Sequence, residues 1–349
     1  MIRLLIVGTG GMARAHAEAY QEMEGVTVVG SVDINAEALA SFNKDFGIEN
    51  GFSSVEDALK WGEFDAVSNV TPDAIHRRTT LPFLKAGKHV LCEKPLATSE
   101  ADANEMTTAA QQARVVNMVN LTYRNVPALI HAAQLVAEGR IGDVRHFEAS
   151  YLQSWLTQDA WGHWADDPQW LWRLSTAHGS MGVLGDVGVH IVDFATFVAG
   201  AAVDKLSCRL QTFEKVKGNE IWPYRLDAND SMAMHLQLST GAIGVIHATR
   251  FASGHLNDLR LRIYGTKGGL DVRFEKGQSR LSISEGEALK SGEWFDLTPP
   301  DVPTNYQRFV QAIRDGTQVL PDFARGANLQ RVLDLAVLSN EHGAADQQI

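Results

Sequence analysis

The chain has 349 residues, of which 45% are hydrophobic and 21% charged, a composition that suits folded domains and excludes wholesale disorder. At about 150 residues per domain, the length predicts two domains. Thirty-one Lys and Arg against 42 Asp and Glu leave a formal charge of −11, which argues against nucleic acid or an anionic membrane surface as a partner, since phosphates reward basic faces.

The first 120 or so residues alternate two patterns. Apolar, β-rich runs at 3–7, 26–32, 65–70, 89–92 and 115–119 are separated by helical patterns at 12–23, 36–46, 55–60, 75–86 and 99–113. Strands with apolar residues at consecutive positions, linked by helices, imply a doubly wound parallel sheet covered on both faces. The second half reads differently. A helix at 126–138 leads to a strand at 144–152, then a Trp-rich irregular stretch and a helix at 183–199. Strands at 206–213, 231–238, 242–249, 259–264 and 270–274 follow, with helices at 305–314 and 327–339 closing the chain. Alternation such as His235-Leu236-Gln237-Leu238 predicts an antiparallel sheet with one apolar face. The shift places the domain boundary near 122, giving domains of 1–122 and 123–349.

Cys92 and Cys208 are the only cysteines and form no C-x-x-C pair, so a reducing compartment is expected. The apolar run at 1–8 is too short for a signal segment, and the most apolar stretch, at 191–203, is interrupted by Asp193. A soluble, cytoplasmic protein is the expectation, with no membrane association.

Gly8-Thr9-Gly10-Gly11-Met12-Ala13 fits the G-x-G-x-x-[GA] pattern between the first strand and first helix. Gly8 permits a tight turn there, and Gly10 lets a pyrophosphate approach backbone amides at the helix N-terminus, with Gly11 and Met12 beside it. Asp33 ends the second strand, where a carboxylate accepts hydrogen bonds from an adenosine ribose and repels a 2′-phosphate. NAD is therefore the expected cofactor, with NADP as the alternative because neighbouring groups can override one acid. A tight turn with Asp33 as a capping residue is the plainer reading. Thr71-Pro72-Asp73 follows the strand at 65–70 and reads either as a helix start or as a ligand loop.

Glu93-Lys94-Pro95 follows the strand at 89–92. A partly buried lysine at such a strand end could polarise a carbonyl oxygen or relay a proton, although most lysines are simply solvated. Asp186 and His190 stand four apart in an apolar helical pattern, so the aspartate can orient the imidazole as a general acid/base. Gly182, Gly185 and Gly188 in the same segment suggest close approach by a cofactor, a substrate or another backbone. A buried structural Asp–His pair is the alternative; no third ligand stands at a metal-binding spacing, so no metal is expected.

Trp155, Trp161, Trp164, Trp170 and Trp172 crowd the stretch before that helix. Indole faces pack on the C–H faces of sugars, so Trp155 and Trp172 are candidate substrate residues, as is Arg124 after the last strand of the first half. The alternatives are an indole-pinned loop or an oligomer contact for the tryptophans, and a surface ion pair for Arg124.

Taken together, the glycine loop with Ala13 and His16, the stretch Thr71-Pro72-Asp73-Ala74-Ile75-His76, Glu93-Lys94-Pro95, Gly139-Arg140-Ile141-Gly142, Asp186 with His190, and Pro321-Asp322-Phe323 resemble the glucose–fructose oxidoreductase/inositol dehydrogenase (Gfo/Idh/MocA) family. The resemblance implies a Rossmann domain followed by an α+β domain whose open, mostly antiparallel sheet commonly mediates oligomerisation, here as a dimer or tetramer. It also implies NAD(P)-dependent oxidation or reduction of sugars, inositols and related polyols. By match, Lys94, Asp186 and His190 form the catalytic set; Thr71, Pro72, His76, Glu93 and Lys94 flank the cofactor. This chain departs at Ser180-Met181-Gly182, where many members have three glycines, and at Val189, where many have a small hydroxyl residue. A reductase of a non-sugar carbonyl or aromatic diol, and a non-catalytic dinucleotide-binding sensor, are the competing readings.

Overall fold

A computed structural model describes residues 1–349, the side chain of Gln169 excepted. The chain begins with β1 (Ile2–Val7), α1 (Gly11–Gln21), β2 (Val26–Val32), α2 (Ala36–Phe46), β3 (Asn50–Phe52), α3 (Val55–Trp61), β4 (Ala66–Asn69), α4 (His76–Lys85), β5 (His89–Cys92), α5 (Glu100–Ala113) and β6 (Asn117–Val119). Helix starts follow local chemistry: Asn35, Ser54 and Ser99 accept hydrogen bonds from first-turn amides of α2, α3 and α5, satisfying donors that a helix leaves orphaned. The six strands are parallel in the order β3-β2-β1-β4-β5-β6. The strand at Asn50–Phe52 was not expected, being too short to carry a pattern. Strand order reverses between β1 and β4, so the loops after these strands mark the ligand crevice of such a sheet.

Next come α6 (Pro127–Ala137), β7 (Val144–Gln153), α7 (Pro168–Leu171), α8 (Val189–Ala199), β8 (Val203–Gln211), β9 (Glu220–Ile221), β10 (Tyr224–Arg225), β11 (Ser231–Leu238), β12 (Ile243–Thr249), β13 (Asn257–Gly265), β14 (Gly268–Glu275), β15 (Gln278–Glu285), α9 (Ala288–Ser291) and β16 (Phe295–Leu297). The chain closes with α10 (Asn305–Asp315), α11 (Phe323–Glu341) and β17 (Gln347–Gln348). Nine strands run in the order β16-β15-β14-β13-β7-β12-β11-β8-β17, antiparallel except for β7 with β12. One face buries Phe147, Met234, Leu261 and Val272 under α6 and α8. The other face is polar: Arg260 and Arg273 pair with Asp271 at 2.7 and 2.8 Å, and Arg262 pairs with Glu148 at 2.5 Å. The expected helix at 183–199 divides into a π-helical turn, Leu184–Gly188, followed by α8.

Two compact units result. The first comprises Met1–Leu121 and Pro303–Gln330; the second comprises Thr122–Val302 and Arg331–Ile349. The chain therefore passes between the units three times, at 121/122, 302/303 and 330/331, and composition signals neither of the last two. The cause is amphipathic: α10 carries Tyr306, Phe309 and Val310 into the core formed by β1 and α1. Among the described residues, no helix is long and apolar enough to cross a membrane.

Candidate active site

In the first unit the glycine loop has the conformation its sequence requires. Gly8 has φ +91°, and a Cβ there would lie 2.8 Å from the Val70 carbonyl oxygen and 3.0 Å from Thr71 N. Gly8 thus lets the loop after β1 touch the loop after β4 at the reversal of strand order. Gly10 and Gly11 are exposed, and nothing stands within 4 Å of where their Cβ atoms would be. No side chain caps α1 and no acid lies in its first turn, so its amides and dipole face open space, with exposed Met12 beside them. Asp33 is half-buried and held in place: one carboxylate oxygen accepts from Thr9 N and Oγ1, both at 2.8 Å, and the other from Asn35 N at 2.8 Å. These residues fit a bound dinucleotide.

The loops after β4 and β5 are cross-linked. Thr71 does not cap α4, as its position suggested; its N and Oγ1 donate to Asn69 Oδ1, and Pro72 is exposed before a single turn at Asp73–Ile75. His76 is fully buried, its ring bonded to the carbonyl oxygens of Thr71 at 2.7 Å and Pro95 at 2.8 Å. Both of its ring nitrogens are therefore engaged by backbone. Lys94 is half-buried and precedes a cis peptide bond to Pro95.

Glu93 turns inward. His16 Nε2 bonds its Oε1 at 2.9 Å, Asn120 Nδ2 donates to the same oxygen at 2.6 Å, and Lys94 N donates to Oε2 at 3.2 Å. Burial pushes this carboxyl up, but the bond and charge of His16, with Lys94 and Asn120, outweigh it and bring its pKa to about 2. The other ring nitrogen of His16 meets Ser68 Oγ at 2.7 Å, and Asn120 is shared with the Tyr306 hydroxyl and Asn305. Glu93 therefore fixes the Lys94 backbone from below, as an ionised and satisfied acid.

In the second unit, Asp186 occupies the π turn and His190 the first turn of α8. Single π turns recur at functional sites because they re-aim side chains. Asp186 is partly exposed, and its Oδ2 accepts from Arg250 at 3.1 Å, with Arg173 at 4.0 Å. Arg250 is completely buried and also donates to the Arg173 carbonyl. The His190 ring stands edge-on to Tyr123, centroids 4.9 Å apart, with Tyr151 at 6.3 Å. Tyr123, Tyr151 and Asn257 share a closed set of hydrogen bonds, and burial, then Tyr123, raises the Tyr151 pKa well above the ordinary phenol value. Arg250, Tyr123 and Tyr151 escaped sequence reading. They lie far apart along the chain, and strand alternation signals only which face is apolar.

Two of the substrate candidates are buried in the protein's own interior. Arg124 forms a buried bidentate pair with Asp193, at 2.6 and 2.9 Å, and lies 3.4 Å above the Phe197 ring. The charge that interrupts the apolar run at 191–203 is its partner. Trp155 is 2% exposed, packed among Trp164, Leu171, Leu174 and Leu226, with its Nε1 donating to Gln153. Trp172 stays half-buried beneath the Arg173 guanidinium at 4.7 Å. The glycines also resolve: Cβ atoms at Gly182, Gly185 and Gly188 would strike Asn229, Met181 and Met232, respectively, so the close approach comes from the protein itself.

Comparison with known proteins follows the same division. The oxidoreductase family with an NAD-binding Rossmann fold matches residues 2–121, and the GFO/IDH/MocA C-terminal domain matches 129–271. A 1,5-anhydro-D-fructose reductase from Ensifer adhaerens is 31% identical, covering 82% of each chain. Levoglucosan dehydrogenase from Pseudarthrobacter phenanthrenivorans is 27% identical over 96% of this chain and 95% of the relative. Among solved structures, an oxidoreductase domain protein from Kribbella flavida aligns with TM-score 0.86 and 30% identity over 99% of this chain and 98% of that one. A levoglucosan dehydrogenase complex with NADH and L-sorbose aligns with TM-score 0.86 and 25% identity over 100% and 99%. This chain belongs to the GFO/IDH/MocA family and is an NAD(P)-dependent oxidoreductase acting on CH–OH groups.

Proposed function

We propose that the protein interconverts a secondary alcohol and a carbonyl of a sugar, inositol or related polyol, using NAD in preference to NADP. The carrying observation is the His190 ring, positioned edge-on to Tyr123 directly after the π turn that bears Asp186. Similarity to the two sugar-converting relatives supports the substrate class. When bound, NAD supplies the two-electron acceptor. The amides at the start of α1, with Gly8, Gly10, Gly11 and Met12, would hold its pyrophosphate, and Asp33 its adenosine ribose. Thr71, Pro72 and Glu93 would shape the loops around its other half.

In the oxidising direction, His190 is the second unit's general base for the hydroxyl proton, and Lys94 is the first unit's candidate for stabilising developing negative charge. Asp186 orients the imidazole, and its tie to Arg250 holds that carboxylate in place. Trp172, half-buried and polar on one flank, is the remaining tryptophan candidate for a sugar contact. The sheet of the second unit is proposed to associate copies into a dimer or tetramer, and the cytoplasm is the proposed compartment. The test is a panel of polyols and sugars with NAD or NADP, followed by nicotinamide absorbance. Oxidation by wild-type protein that persists in both Lys94→Ala and His190→Ala would overturn the assignment of roles. Dinucleotide binding without turnover on any panel member would overturn the substrate class.

A further inference from the structure

We propose that His76 is a permanently charged positioning residue, an imidazolium whose two N–H groups strap the loop after β4 to the loop after β5 and so fix the backbone that carries Lys94. The inference rests on the role proposed for Lys94. Its basis is an accounting of donors. The two ring nitrogens lie 2.7 and 2.8 Å from the carbonyl oxygens of Thr71 and Pro95. A carbonyl oxygen only accepts, and a neutral imidazole has a single N–H. One of the two contacts would then set a lone pair against an oxygen, so both nitrogens must carry protons.

The surroundings agree with that charge. Burial of the ring opposes it, but the neighbouring Cys92 sulfur, the Asp73 carboxylate and the Pro95 carbonyl outweigh burial and push the pKa up to about 10. Cys92 faces the ring from β5 and itself accepts from Thr80 Oγ1 at 3.8 Å; Asp73 faces it from the turn before α4. A cation at the first residue of α4 is unfavourable toward that helix dipole, so the charge does not serve the helix. It serves the two loops.

The strap joins residue 71 to residue 95, which directly follows Lys94 in the chain. A Gln or Asn amide carries its two N–H donors on one nitrogen, whereas the imidazolium carries them on two separate ring nitrogens. Gln and Asn can each satisfy at most part of the geometry, which makes His76→Gln and His76→Asn useful variants.

Two measurements test this. The first is nitrogen NMR of the histidine-labelled full chain from about pH 6 to pH 9, across the range where an ordinary imidazole loses its proton. Expected is a doubly protonated histidine signal that persists throughout and is assigned to His76 by its loss in His76→Gln, or by Overhauser contacts to Thr80 and Cys92 should neither variant fold. A His76 that is neutral at pH 8 overturns the proposal. The second is steady-state kinetics of the folded variants. Loss of the strap should lower kcat by roughly tenfold to a hundredfold, as expected for a misplaced catalytic group, with dinucleotide KM changed by no more than about threefold. A kcat within about twofold of wild type overturns the positioning role. If Lys94→Ala keeps full turnover while His76 remains doubly protonated, the reading of Lys94 fails and the charged strap stands.

Discussion

The strand-end loops of the first unit and the tryptophan-rich stretch of the second invite the same guess from sequence, and they fold in opposite ways. Both are irregular segments that place residues able to contact a ligand ahead of a helical pattern. In the first unit, Gly10, Gly11, Met12 and Pro72 stay exposed while Glu93, His16 and His76 are buried beneath them. In the second, Trp155 and Trp164 leave the surface and build a small core of their own. The difference lies in backbone support. A loop at the end of a parallel strand is held by the sheet and needs only polar ties below it. A long connection without a sheet must bury its own aromatic groups to stay in place.

The largest way to sharpen that contrast is kinetic. Lys94→Ala and His190→Ala should each lower turnover by about 10²- to 10⁴-fold, with dinucleotide binding retained in fluorescence titrations. Next come the residues the second unit drew inward. Arg124→Ala leaves Asp193 buried without its bidentate partner and should cost about 3–5 kcal/mol in denaturant unfolding. Replacing both members with apolar residues should recover much of that loss. Trp155→Ala should likewise cost about 3–5 kcal/mol, whereas Trp172→Ala should mainly raise substrate KM. Equal destabilisation by the two tryptophan changes would break the comparison.

Glu93 gives a pH signature. Its folded pKa, about 2, lies below that of an unfolded glutamate. The folded state therefore gains stability from the ionised acid above about pH 4.3, and this is lost as pH falls toward 2. Wild type should lose stability over that window more steeply than Glu93→Gln, a difference measurable in urea titrations at several pH values. The smallest effect belongs to Asp33. Removing this half-buried charge in Asp33→Ala should narrow the preference for NAD over NADP by roughly 1 kcal/mol, about fivefold.

Much of the first unit was legible because its signals are local. Alternating strand and helix patterns, the glycine pattern and Asp33 each depend on neighbours within a few residues. His76 shows where this ends: only family resemblance singled it out, and nothing local predicts that its buried ring bonds to backbone 5 and 19 positions away. Arg124 and Asp193 stand 69 positions apart, and either one alone reads as a surface charge. Periodicity shows that a side chain faces inward but never names what it meets there.

Length and charge, the order of strands and helices in the first unit, and the residue types available for proton transfer are properties of the sequence itself, because backbone propensity and side-chain chemistry act at short range. Tertiary structure alone decided three further things: that Pro303–Gln330 joins the first unit, that Trp155 and Arg124 are buried, and that His76 bridges two loops. Each depends on groups that are distant in the chain and that only packing brings within the few ångströms over which a hydrogen bond or an ion pair acts.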